Sequence, residues 1–147
     1  MSRYTQMIYQ LIFSTKNREK SIVQEHAHIL HKYIAGVFRK KECVVYTVGG
    51  YKDHVHIVFS LHPKISLSDL VKDVKVASSI MMKEHVAFPD FTGWQNGYGA
   101  FTYSNDAKES PINYVDNQEE HHRNKSFKEE LIEFLHEHGV EYDEKYL

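Results

Sequence analysis

Two histidines one residue apart, His54 and His56, stand out in a chain that carries eleven. On an extended strand, residues i and i+2 point the same way. The two imidazoles of His54-Val55-His56 would therefore leave one face side by side, as two nitrogen ligands of a divalent cation must. Val55, Ile57 and Phe59 would point oppositely, into a core. With eleven histidines a chance His-x-His is unremarkable, so the pair alone does not define a metal site. A second pair adds to it: Tyr114 and Gln118 are four residues apart, about one turn along a helix face. The tyrosine offers a nucleophilic oxygen and the glutamine a neutral carbonyl oxygen as a third, harder ligand. Two imidazoles and one amide leave coordination positions open for phosphate and water, as catalysis requires and a closed structural site does not. Taken singly, Tyr114 reads as a packing residue and Gln118 as a solvated one.

The hydropathy pattern predicts the elements that would hold these groups. Residues 4–14 place Met7, Tyr9, Leu11 and Phe13 on one face of a first strand. Val23, Ala27, Leu30, Ile34 and Val37 recur at helical spacing, predicting a helix over 21–41. Residues 43–48 form a second strand, Gly49-Gly50 opens a turn to Asp53, and residues 54–61 form a third strand. Ser66 with Asp69 caps a helix running to about 85. Phe88 to Gly97 is loop, and residues 98–104 form a fourth strand. Ser110 before Pro111 starts a helix to about 123. Ser126 with Glu129 caps a last helix, which Gly139 stops. The order β-α-β-β-α-β predicts an α+β, ferredoxin-like antiparallel sheet with two helices on one face. The other face is left for a ligand, a partner or the two C-terminal helices.

The 147 residues fit one domain, and the single cysteine, Cys43, excludes an intramolecular disulfide and any Cys-based zinc cluster. No apolar run approaches a membrane span, no leader is evident, and a cytoplasmic protein is expected. The net charge of −2 is unevenly spread. Residues 1–104 carry thirteen Lys and Arg against eight Asp and Glu, whereas residues 105–147 carry five against twelve. A basic core thus bears acidic C-terminal helices, within one domain spanning 1–147. Phosphate binding answers to the local field, so nucleic acid stays in play.

The ordered set of motifs closely resembles the single-tyrosine HUH transposases, the TnpA-like enzymes of minimal bacterial insertion sequences (the IS-two-hundred-like group). It comprises Phe13-Ser14-Thr15-Lys16-Asn17-Arg18, Asp53-His54-Val55-His56, and the Ser66–Ser79 helix with Lys72 and Lys75. Trp94, Tyr98-Gly99 and Tyr114-Val115-Asp116-Asn117-Gln118 complete it, so the resemblance covers nearly the whole chain. Relaxases are larger and usually add a third histidine. Rolling-circle initiators commonly carry a second tyrosine or a lysine where this chain has Gln118. Two-histidine phosphoesterases need two His-x-Thr/Ser motifs, which are absent.

The resemblance implies that His54, His56 and Gln118 hold Mg²⁺ or Mn²⁺ against a scissile phosphate of single-stranded DNA. It implies that Tyr114 attacks to give a 5′-phosphotyrosine and a free 3′-OH, and that the substrate carries a hairpin at the element ends. It further implies a homodimer in which the tyrosine helix can complete either its own or the partner's site. Lys16, Arg18, Lys72 and Lys75 either grip phosphates or are solvated charges. Trp94 either stacks on an unpaired base or anchors its loop. Asp53 either orients a ligand histidine or shapes the turn. His121 and His122 are expected at the surface, and the C-terminal carboxylates are expected to point outward or toward a partner. The competing reading is a non-catalytic, domesticated module that binds single-stranded nucleic acid on the open sheet face.

Overall fold

The computed structural model describes residues 4–122 and 125–147, apart from the side chains of Glu119 and His121. Strand β1 (Ile8–Ser14), helix α1 (Ala27–Lys40), β2 (Val44–Tyr51), β3 (His54–Ser60), α2 (Leu67–Glu84) and β4 (Gly99–Tyr103) form the βαββαβ unit. Helices α3 (Glu109–Asp116), α4 (Gln118–His121) and α5 (Phe127–Glu137) follow. The sheet runs β2-β3-β1-β4 with every neighbouring pair antiparallel. That is the ferredoxin-like α+β arrangement that the sequence order predicts.

Strand alternation divides the side chains between two cores. Leu11 and Phe13 of β1, with Val55, Ile57 and Phe59 of β3, meet Leu30, Ile34 and Phe38 of α1 and Leu70 and Val74 of α2. The opposite face carries Ile8, Gln10 and Ile12 of β1 and His54, His56 and Val58 of β3. It is covered by Val115 of α3 and by Phe127, Phe134 and Leu135 of α5. Both middle strands are therefore buried on both sides, and the histidine face is roofed by the acidic C-terminal helices.

The predicted boundaries hold in part. Ser66 and Ser126 each accept a hydrogen bond from the backbone N–H three residues on, capping α2 and α5 as expected. Gly139 takes φ 65°, and the N–H of Val140 reaches back to the carbonyl of Leu135, closing α5. Four expectations need correction. β1 begins at Ile8 rather than residue 4. The first helix starts at Ala27, not residue 21, after a short 3₁₀ turn at Gln24–His26. Gly49 and Gly50 lie inside β2 rather than in a turn: a side chain at Gly49 would meet the Val115 side chain and carbonyl at 2.8 Å, so α3 packs directly on the strand backbone. The helix expected after Pro111 begins earlier, at Glu109, with no side-chain cap from Ser110. It then breaks at Asn117 (φ −108°, ψ 21°), so Tyr114 and Gln118 sit on two helices rather than on one face. No helix among the described residues is long and apolar enough to cross a membrane.

Candidate active site

The register of β1 and β3 sets the site. His54 and His56 open β3 and project together from the face opposite Val55, while Gln10 on the neighbouring strand reaches the same layer. Gln10, His54, His56 and Glu130 are completely buried, and Gln118 nearly so. Asp53, in the hairpin turn, accepts a hydrogen bond from Nδ1 of His54 at 2.7 Å. Gln10 Oε1 lies 2.7 Å from Nδ1 of His56, and its amide nitrogen donates to Tyr103. Asp53 thus takes the orienting role, and its backbone carbonyl also anchors the N–H of Thr15. Both histidines turn Nε2 inward, toward the covering helices.

Glu130 of α5 meets them there. Its Oε1 lies 2.8 Å from Nε2 of His56 and 3.3 Å from Nε2 of His54. Its Oε2 accepts from Gln118 at 3.0 Å, faces Nε2 of His122 at 3.0 Å, and accepts a short hydrogen bond from the Tyr114 hydroxyl. Gln118 Oε1 in turn lies 2.9 Å from Nε2 of His54. Tyr114 is half-buried, edge-on to Phe134, with its ring centroid 6.0 Å from that of His56. Despite the break at Asn117, Tyr114, Gln118 and the His pair converge on one carboxylate, all within a single chain. Val115 against Gly49, and Asp116 accepting from Thr47 at 2.6 Å, hold α3 in the position that makes this possible.

The electrostatics follow from this packing. Burial opposes charge on His54, yet its bonds to Asp53 and Glu130 outweigh that and hold it up at about 9. Burial prevails at His56, which is pushed down to about 4. Burial would raise Glu130, but the surrounding histidines keep its carboxyl well below the usual carboxylate range. Burial and the adjacent carboxylate push the Tyr114 phenol well above its ordinary value, so it is held as a neutral donor. A carboxylate with five polar neighbours offsets the large cost of burying its charge, and removing it would strand them.

The donor set suits a divalent cation. Ligand atoms of His54, His122 and Glu130 lie within 4.8 Å of one another, and Gln118 presents its carbonyl oxygen to the same point. Imidazole, carboxylate and amide oxygen fit Mn²⁺ or Mg²⁺ better than a soft metal.

The family model described as "Transposase IS200 like" matches residues 3–118, most of the chain. The chain belongs to the IS200-like transposase family. It is similar to the ISDra2 transposase TnpA of Deinococcus radiodurans, 28% identical over 120 residues that span 77% of this chain and 84% of that one. Among solved structures it is similar to a transposase of Deinococcus radiodurans at 25% identity and a TM-score of 0.62, covering 80% of this chain and 95% of the other. The fold also matches a REP-associated tyrosine transposase bound to a REP hairpin, at 15% identity and TM-score 0.62, over 83% of this chain and 74% of that one.

The other sequence-predicted residues of this IS200-like chain are placed as follows. Lys16 and Lys72 are exposed. Arg18 sits over the ring of Phe127, at the edge of a cleft of about 530 Å³ that Asn17, Gln95, Tyr98 and Tyr142 also line. Lys75 does not share the outer surface with Lys72: its ammonium donates to the carbonyls of Gln95 and Gly97, tying that loop to α2. Trp94 donates to Ser78 and packs edge-on against Phe13 and Phe91, so it anchors its loop.

Two expectations are overturned. His122 is not a surface residue: it is buried, with Nδ1 2.6 Å from the Lys125 carbonyl and its ring stacked on Tyr51. The C-terminal carboxylates do not all point outward, because Glu130 is the hub of the site. The sequence does carry a signal for Glu130: three residues after Phe127 and four before Phe134, it falls on the apolar stripe of α5, where an acid needs a partner. His122 lies in a turn, where no periodicity marks it. The side chain of His121 lies outside the described residues.

Proposed function

We propose that the chain is a metal-dependent transposase that cleaves and rejoins single-stranded DNA through a 5′-phosphotyrosine on Tyr114. The observation that carries this reading is the meeting of the Tyr114 hydroxyl, the Gln118 amide and the inward Nε2 atoms of His54 and His56 around one buried carboxylate. A structural tyrosine has no need of that company.

In the reaction, the phenol oxygen attacks phosphorus, the P–O3′ bond breaks, and the DNA keeps a free 3′-OH. A second 3′-OH runs the same step backwards, so no nucleotide cofactor is needed. Asp53 and Gln10 hold the two imidazoles with Nε2 toward the reacting phosphate, and Glu130 faces the phenol proton that must leave. Mg²⁺ or Mn²⁺ bound by His54, His56 and Gln118 would polarise a phosphate oxygen and neutralise the charge that gathers in the transition state. Lys16, Arg18 and Lys72 would grip the strand, with Arg18 at the mouth of the cleft beside Phe127. Lys75 and Trp94 would act indirectly, by fixing the 94–97 loop. The substrate's hairpin is supported by the hairpin-bound relative of the same fold, and the homodimer by the family resemblance.

The test is denaturing gel electrophoresis of the protein incubated with Mn²⁺ and labelled oligonucleotides from both strands flanking its gene, beside Tyr114→Phe. Label that stays with the wild type, requires metal and vanishes in the variant is the expected result. Tight binding without adduct on any strand would sink the reading in favour of a non-catalytic binder.

A further inference from the structure

We propose that His122 and Glu130 are ligands of the same cation as His54, so that α5 forms part of the metal centre rather than a cover over it. This rests on the reading of the histidine pair as metal ligands, and it concerns residues beyond position 118, where the family match ends.

Hydrogen bonds on the far side of each ring aim the ligand atoms inward. His54 turns Nδ1 to Asp53 and His122 turns Nδ1 to the backbone carbonyl of Lys125, so both Nε2 atoms face Glu130. Gln118 is oriented by the bond from its amide nitrogen to Glu130, so its carbonyl oxygen faces His54. These two Nε2 atoms and the Glu130 carboxylate lie within 4.8 Å of one another, with the Gln118 carbonyl oxygen 2.9 Å from Nε2 of His54.

The spacing agrees. Donor atoms about 2.1 Å from one cation, at right angles to each other, lie about 3.0 Å apart. Here His54 Nε2 lies 2.9 Å from Gln118 Oε1 and 3.3 Å from Glu130 Oε1. His56 Nε2 lies 2.8 Å from Glu130 Oε1, and His122 Nε2 lies 3.0 Å from Glu130 Oε2. Imidazole ligands favour a first-row transition ion such as Mn²⁺ over Mg²⁺, which prefers oxygen ligands and its own waters. The cation would also fasten α5 to β3.

Mn²⁺ titration followed by calorimetry and by loss of the free-ion EPR signal tests this on the full chain. Glu130→Gln and His122→Asn should each weaken Mn²⁺ binding by at least about tenfold, and the rise in Tm that Mn²⁺ gives the wild type should shrink with it. Wild-type affinity in both variants, or no Mn²⁺ binding by the wild type, would overturn the assignment. If the variants do not fold, hydrogen exchange on the wild type decides: Mn²⁺ should slow exchange in residues 127–137 as well as in β3, and an unchanged α5 overturns the proposal. The DNA adduct assay is scored separately. Adduct formation with unchanged Mn²⁺ affinity in both variants rejects these ligands and leaves the transposase reading standing. Loss of affinity in the variants with no adduct from the wild type does the reverse.

Discussion

Replacing Gly49 by alanine tests whether the docking of α3 on β2 positions the nucleophile. A Cβ at Gly49 would lie 2.8 Å from both the Val115 side chain and its carbonyl oxygen. The side chain can rotate, but the carbonyl belongs to the helix, so α3 must retreat by about 0.6 Å to restore a 3.4 Å contact. Overpacking of this kind costs about 1–3 kcal/mol, which for a domain of this size lowers Tm by roughly 3–10 °C. Tyr114 is the residue next to Val115 and should move with it. Misplacement by about 1 Å costs on the order of a hundredfold in rate, so adduct formation should slow by about tenfold. The control is Gly36→Ala on α1, where an added Cβ meets nothing within 4 Å. It should stabilise the protein by about 0.5–1 kcal/mol and leave the rate untouched. Differential scanning fluorimetry and single-turnover adduct kinetics on both variants give the comparison. Equal Tm and equal rate in Gly49→Ala and wild type would refute the idea that this close approach sets the tyrosine.

Burial pushes His31 on α1 down to about 4, with His28 adding to the effect. Between its ordinary 6.5 and 4 the unfolded chain binds a proton that the folded chain refuses, so stability is full above about 6.5 and falls with pH through that window. Urea melts should show His31→Asn flattening this slope by about 1–2 kcal/mol, the partial exposure of the ring being allowed for; parallel slopes would contradict it. Ser126→Ala removes the hydroxyl that accepts from the Glu129 N–H and donates to its carboxylate, and should cost about 1 kcal/mol in the same melts, whereas Ser126→Gly should cost only a few tenths.

Much of the fold was legible because alternation on β1 and β3 and the 3.6-residue stripes on α1 and α2 act over long segments. His54 and His56 were legible for the same reason: once β3 is a strand, its parity sends them away from the α1–α2 core. The start of α1 was less so, since Val23 and Ala27 keep helical spacing across a 3₁₀ turn that only the backbone distinguishes. Gly49-Gly50 reads as a turn by composition, yet it remains in the strand, where the missing Cβ of Gly49 lets α3 pack on the backbone. The break at Asn117 leaves no compositional mark, and Tyr114 and Gln118 still reach one carboxylate through tertiary packing. Glu130 was hidden among twelve acidic residues of the C-terminal segment, where net charge suggested solvent exposure and only its place on an apolar stripe said otherwise.

The central claim is that Tyr114 becomes covalently joined to DNA. Mass spectrometry of the protease-digested adduct, formed with Mn²⁺ and an oligonucleotide cut at the flank of the gene, tests it most directly. The account predicts a nucleotide mass on the peptide spanning residues 109–123, localised to Tyr114, with a free 3′-OH on the released strand. A nucleotide mass on any other residue, or cleavage that yields two free ends and no adduct, would contradict it.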